Sequence, residues 1–151
     1  MPDIIISDTS CFIILTKIKE LDLLHKVYGQ IITTRDISIE YAEKLPNWVE
    51  IRDVKDKYRQ QILGMQIDKG ESSAIALALE TPESTLVIDD YKARKIAERL
   101  HVPYTGTIGV IVKAKLLNLI PSIKPMLEKI KQTDFRISGE IEIEALKEAN
   151  E

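Results

Sequence analysis

The chain has 151 residues, 44% hydrophobic and 30% charged, an ordinary globular balance with enough length to bury a core without disulfides or a structural metal. Its one cysteine, Cys11, excludes an internal disulfide, and no apolar stretch approaches the roughly 20 residues that span a bilayer. A net charge of −3 argues against coating nucleic acid through bulk positive charge, but not against an enzyme that meets nucleic acid through metal ions and a local basic patch.

The N-terminus has no basic n-region and no cleavage signature, so a soluble cytoplasmic protein of one domain, residues 1–151, is expected. Residues 3–7 form a short β-branched run that reads as a buried strand. Asp8, Thr9 and Ser10 follow as a polar turn able to cap a helix over 11–18. Leu21, Leu23, Leu24 and Val27 predict a second helix closed by Gly29, and residues 30–34 a second strand. Residues 35–45 read as a helix stopped by Pro46, and 49–54 as an edge strand that Trp48 anchors. Residues 56–67 suggest an exposed polar helix.

In the second half, Gly70 and Glu71 open a helix that runs to Glu80, with Ala74, Ile75, Ala78 and Leu79 on one face. Residues 84–88 are a strand with Asp89 and Asp90 at its C-terminal end. A helix over 91–100 turns Ala93, Ile96, Ala97 and Leu100 inward, with Tyr91 expected to be partly buried, stacking on a base being the alternative. A short strand over 102–105 precedes a buried helix over 106–117, which Asn118 ends in a left-handed cap. Residues 123–131 and 138–150 are amphipathic helices that cover the domain or serve a dimer. Strands alternating with helices imply an α/β fold: a three-layer α/β/α arrangement around a mostly parallel sheet.

Parallel sheets place ligands at the carboxyl ends of their strands. Asp8 ends the first strand, and Asp89 and Asp90 end a later one, so these acids are expected along one edge. Glu71 lies in the first turn of its helix, and Glu40 one turn from Ile37. Several carboxylates meeting at one place would repel one another if all were ionised. Mg²⁺ or Mn²⁺, which take hard oxygen ligands, remove that repulsion and can activate water against a phosphodiester. His25, His101 and Cys11 make neither a zinc pattern nor a nucleophile dyad, and there is no Gly-rich phosphate loop.

Four motifs in order carry a resemblance. Asp8-Thr9-Ser10 before an apolar helix resembles the N-terminal signature of PIN domains, including VapC-type toxins. The run from Gly70-Glu71 through Ala74-Ile75 to Leu77-Ala78 is similar to the corresponding helix of one PIN-like branch. So are Val87-Ile88-Asp89-Asp90 with Ala93-Arg94, and the segment from Tyr104-Thr105-Gly106-Thr107 to Ala114-Lys115. The resemblance implies a metal-dependent ribonuclease fold, often dimeric and often partnered by an antitoxin. It implies catalytic roles for Asp8, Glu40, Glu71 and Asp89 or Asp90, with Asp8, Glu71, Asp89 and Asp90 as the metal-ligand set. Here Asp-Asp replaces the Thr/Ser-x-Asp pattern of typical toxins.

Each residue also has a purely structural reading. Asp8, and one of Asp89 and Asp90, suit helix caps; Glu71 suits a helix dipole; Glu40 suits a surface pair with Lys44. Thr9, Ser10 and Thr107 could position phosphate or merely satisfy backbone donors. Lys92 and Arg94 could meet RNA phosphates, or form a solvated face with Arg94 paired to Glu98. Cys11 is expected to pack as a small hydrophobe. A non-catalytic PIN-fold module that holds RNA or protein is the alternative function. A phosphotransferase using Asp8 as nucleophile ranks below both, because Ser10 stands where that chemistry wants a second Asp.

Overall fold

A computed structural model describes residues 4–151; Asp3, the first residue of the predicted opening strand, lies outside the described residues. Five strands form one sheet: β1 (Ile4–Ser7), β2 (Ile31–Thr34), β3 (Val49–Arg52), β4 (Ser84–Val87) and β5 (Tyr104–Thr105). Their order is β3-β2-β1-β4-β5, and every pairing is parallel. The helices are α1 (Thr9–Lys17), α2 (Asp22–Tyr28), α3 (Arg35–Tyr41), α4 (Lys57–Leu63), α5 (Lys69–Leu79), α6 (Tyr91–Arg99), α7 (Thr107–Leu116), α8 (Lys124–Lys131) and α9 (Gly139–Glu148).

The result is the expected three-layer α/β/α architecture, with α5 packed on α4 and α6, and α7 on α1 and α2. Helices on both sheet faces explain why β1 reads as an unbroken Ile-Ile-Ile run instead of alternating. Ile6, Phe12, Leu15, Ile31, Ile75 and Leu86 are fully buried between the layers. Cys11 is buried with them as a small hydrophobe. Among the described residues, no helix is long and apolar enough to cross a membrane.

The central strand β1 pairs with β4 over its full length, from Ile4 opposite Ser84 to Ser7 opposite Val87. The chain runs from β1 outward to β2 and β3, then crosses back to β4 on the other side of β1. The crevice of a doubly wound sheet opens at such a reversal of strand order. Asp8 and Asp89 therefore leave neighbouring strands at the switch point of the sheet.

Three expectations need correction. First, α3 stops at Tyr41, well short of Pro46, because Ala42 turns the chain in the left-handed region at φ 63°. Lys44 lies beyond the helix, so the spacing that would pair it with Glu40 is lost. Second, Leu100 is 40% exposed at the C-terminal cap of α6, and Tyr91 is 73% exposed at its start. Third, Glu98 pairs with Lys95 at 3.8 Å, not with Arg94. Asn118 ends α7 at φ 61°, as predicted.

Left-handed backbone costs an L-residue roughly 1–2 kcal/mol and glycine almost nothing, although glycine loses more freedom on folding. Ala42→Gly is thus expected to stabilise the protein by about 0.5–1 kcal/mol, read as a rise in the thermal midpoint.

Candidate active site

Four helices begin around the switch-point crevice, and an aspartate sits at the start of each. The Asp8 carboxylate caps α1: Oδ1 accepts from Cys11 N at 2.9 Å. Its Oδ2 accepts from Asp89 N at 3.1 Å, tying the end of β1 to the segment after β4. Asp89 reaches α7, where Oδ1 accepts from Thr107 N at 2.8 Å and Oδ2 from Thr107 Oγ1 at 2.6 Å. Gly106, the N-cap of α7, has no side chain for this task, so Asp89 performs it from a neighbouring segment. Asp90 caps α6 through Ala93 N at 2.9 Å. Asp68 caps α5 through Glu71 N at 2.8 Å, and the Glu71 carboxylate returns to Asp68 N at 3.3 Å as a capping box. The positive ends of these helix dipoles favour the negative charge collected there.

Asp8, Thr9, Ser10, Glu40, Asp68, Glu71, Asp89 and Asp90 line one cleft of about 310 Å³, together with Phe135. All the acids read from the sequence therefore share one cavity. The two neighbours that looked alike in sequence take different positions. Asp90 is exposed and faces Glu71, whereas Asp89 lies deeper and faces Asp8.

The family profile described as PIN domain matches residues 4–151. This chain belongs to the PIN-domain family. No curated protein matches it closely enough to add a named relative. The PIN fold is a nuclease-type fold, and the acid-lined cleft lies at the ends of its strands.

The electrostatics of the cleft follow first from burial and then from neighbouring acids. Burial, reinforced by the charge of Asp89 and then of Glu71, pushes the Asp8 carboxyl well above the usual carboxylate range. Two backbone donors pull the other way and do not cancel the effect. Glu71 is pushed up to about 8, first by burial and then by Asp68 and Asp90. Burial, with Asp89 and Asp8 next, also pushes the Cys11 thiol well up, which keeps it protonated and without a nucleophilic role.

Three observations bear on whether a divalent cation suits this cleft. The donors that line it are all hard oxygens. Thr9 Oγ1 is buried without a hydrogen-bond partner among the described residues, and a buried polar atom of that kind needs a ligand or water. Gly70 leaves room beside that hydroxyl: a Cβ there would lie 3.1 Å from Glu40 Oε1 and 3.4 Å from Thr9 Oγ1. Among the described residues, however, no three His, Cys, Asp or Glu side chains converge as a ready cage. The caps explain this, because they hold Asp8, Asp68, Asp89 and Asp90 apart on their own helix ends. A cation held by one or two carboxylates, with water completing its shell, fits that spacing and is the ordinary habit of Mg²⁺.

The remaining residues divide. Ser10 is half-buried at the cleft wall. Thr107 is fully buried and holds Asp89. Arg94 is engaged by the fold: its Nε donates to Ile88 O at 2.7 Å, and its guanidinium lies 5.3 Å from the Tyr104 ring centre. Lys92 is exposed on α6.

Two lining residues escaped the sequence reading. Asp68 carries a usable signal, since an Asp three residues before Glu71 is the spacing of a capping box. Phe135 carries none. It comes from the connection between α8 and α9, which Asp134 ties to Lys17 of α1 at 2.9 Å.

Replacing Thr107 with Val removes a hydrogen bond to a charged carboxylate and leaves the backbone bond intact. The expected cost is about 2 kcal/mol, which lowers the thermal midpoint by about 4–8 °C in a domain of this size.

Proposed function

We propose that this PIN domain is a metal-dependent endoribonuclease that hydrolyses phosphodiester bonds at the acid-lined cleft. The observation that carries the reading is the gathering of Asp8, Glu40, Glu71, Asp89 and Asp90 on one cleft at the sheet switch point, where burial and neighbouring charge work against ionisation of Asp8 and Glu71. Proteins rarely gather such groups without use. Asp8 and Asp89, with Glu71 opposite, would hold Mg²⁺ or Mn²⁺; Glu40 and Thr9 would orient the set from the α5 side. A bound cation supplies charge neutralisation at the phosphate and activation of water.

The chain's own contribution is positional. The Asp8–Asp89 hydrogen bond fixes the separation of two strand ends, and Thr107 fixes the rotamer of Asp89. Asp90 acts chiefly as the α6 cap and as a charge facing Glu71. Thr9 and Ser10 stand where a phosphate oxygen could accept their hydroxyl protons.

The toxin role, with an antitoxin protein and a homodimer, belongs to the same reading through the VapC resemblance. A short antitoxin-like reading frame beside the gene would support it. The test of the activity is incubation of purified protein with single-stranded RNA and single-stranded DNA, in Mg²⁺ or Mn²⁺ and in EDTA. RNA products that need the cation support the proposal. No product under any cation refutes it.

A second reading is a PIN-fold module that binds RNA or protein without cutting. The capped, separated carboxylates favour it. It requires RNA retention that survives EDTA, with no product.

A further inference from the structure

A second cavity, of about 510 Å³, adjoins the acid cleft and shares Asp89 and Phe135 with it. We propose that this cavity is a base-binding subsite that takes one unstacked guanine of a single-stranded RNA whose phosphate lies in the acid cleft. The proposal rests on the reading of that cleft as a phosphodiester site.

The walls suit a flat heteroaromatic ring. Phe135 supplies an aromatic face, the Arg94 guanidinium stacked over Tyr104 supplies a second flat surface, and Ile108, Val112 and Ile137 supply apolar contact. The volume lies in the usual range for a small-ligand pocket of a few hundred Å³. Sequence-specific RNA readers take single-stranded bases out of the stack onto such aromatic surfaces. The position is also right, because Phe135 borders both cavities, so a ring stacked on it stays next to the acids. The polar groups narrow the choice of base. Glu140 and Glu144 lie one turn apart on α9 and both line the cavity. Among the described residues neither accepts a hydrogen bond nor pairs with a cation. A free carboxylate accepts two parallel N–H donors, and of the four RNA bases only guanine offers two adjacent donors, from N1 and the 2-amino group. Arg136 and the fold-engaged Arg94 also line the cavity, so the phosphate lies in the acid cleft for the cation it would meet there and not for repulsion by Glu140 and Glu144.

The test uses uncharged nucleosides with the wild-type chain in EDTA, so that neither cleavage nor metal binding is required. Gly106 and Gly109 line the cavity, and their amide signals are followed by NMR. Guanosine is expected to shift both signals more strongly than adenosine, cytidine or uridine. Phe135→Ala is expected to weaken guanosine binding by roughly tenfold, as loss of one stacking aromatic does. The Glu140→Gln, Glu144→Gln double variant is expected to erase the preference among bases. Amides unmoved by all four nucleosides overturn the subsite, and equal shifts from all four overturn the guanine assignment. Guanosine binding without RNA cleavage leaves the subsite standing and refutes only the nuclease reading; cleavage with unmoved amides does the reverse.

Discussion

Asp8→Asn is expected to lower RNA cleavage by about 10³-fold while the chain stays folded. The size follows from removing a charged cation ligand, an interaction that supplies several kcal/mol of transition-state stabilisation, with each 1.4 kcal/mol worth a factor of ten. The fold should survive for a reason visible in the hydrogen bonds. Asparagine keeps one acceptor oxygen, which can cap α1 through Cys11 N. It loses the second acceptor, so Asp89 N is left facing an amide. Against that loss stands the relief of burying a charge there, and of the Asp89 repulsion, which together raise the carboxyl. The two terms oppose each other, and the thermal midpoint should move little. Asp8→Ala lacks both acceptors and is expected to cost about 1–2 kcal/mol for the cap alone. Circular dichroism of both variants separates a chemical loss from an unfolded protein.

The second large effect concerns pH and cations together. An acid whose folded pKa is raised binds more protons folded than unfolded, so stability falls as pH rises between the two values. For Glu71 that window runs from the ordinary 4.5 up to about 8. The metal-free protein is therefore expected to lose thermal stability as pH rises through this window, and Glu71→Gln should flatten that part of the profile. A divalent cation competes with the proton, so Mg²⁺ or Mn²⁺ should raise the midpoint little at pH 6 and more at pH 8.5. At a tenfold excess over the dissociation constant, binding contributes about 1.4 kcal/mol, or about 3–6 °C for a domain of this length. A cation effect independent of pH, or unchanged in Glu71→Gln, speaks against Glu71 as part of the cation site.

The legibility of this site in the sequence varied with the range of the interactions that build it. Strand β1 was plain because three consecutive β-branched residues have few alternatives to a doubly covered strand. That Asp8 and the Asp89 segment share one edge follows from parallel geometry, whereas their direct hydrogen bond depends on β1 and β4 being neighbours, which the strand order supplies. The roles of Asp89 and Asp90 stayed open because both suit a strand-to-helix turn. Only the bond from Asp89 to Thr107, across 18 residues, sets them apart. Glu40 looked like half of a surface pair because nothing about Ala42 announces a left-handed turn. Phe135 is brought in by tertiary packing of the α8–α9 connection, which no local pattern encodes. The cap and site readings of the acids, which looked like rivals in sequence, are compatible: each helix start supplies a carboxylate with a fixed rotamer facing a common space.

Binding of Mn²⁺, followed by electron paramagnetic resonance at pH 8.5 in wild type, Asp8→Asn and Glu71→Gln, addresses the shared cation directly. One bound ion per chain in wild type, at least tenfold weaker in each variant, is the expected result. Binding that both variants retain at wild-type strength, or no binding at millimolar Mn²⁺, contradicts the claim that these side chains hold a common cation.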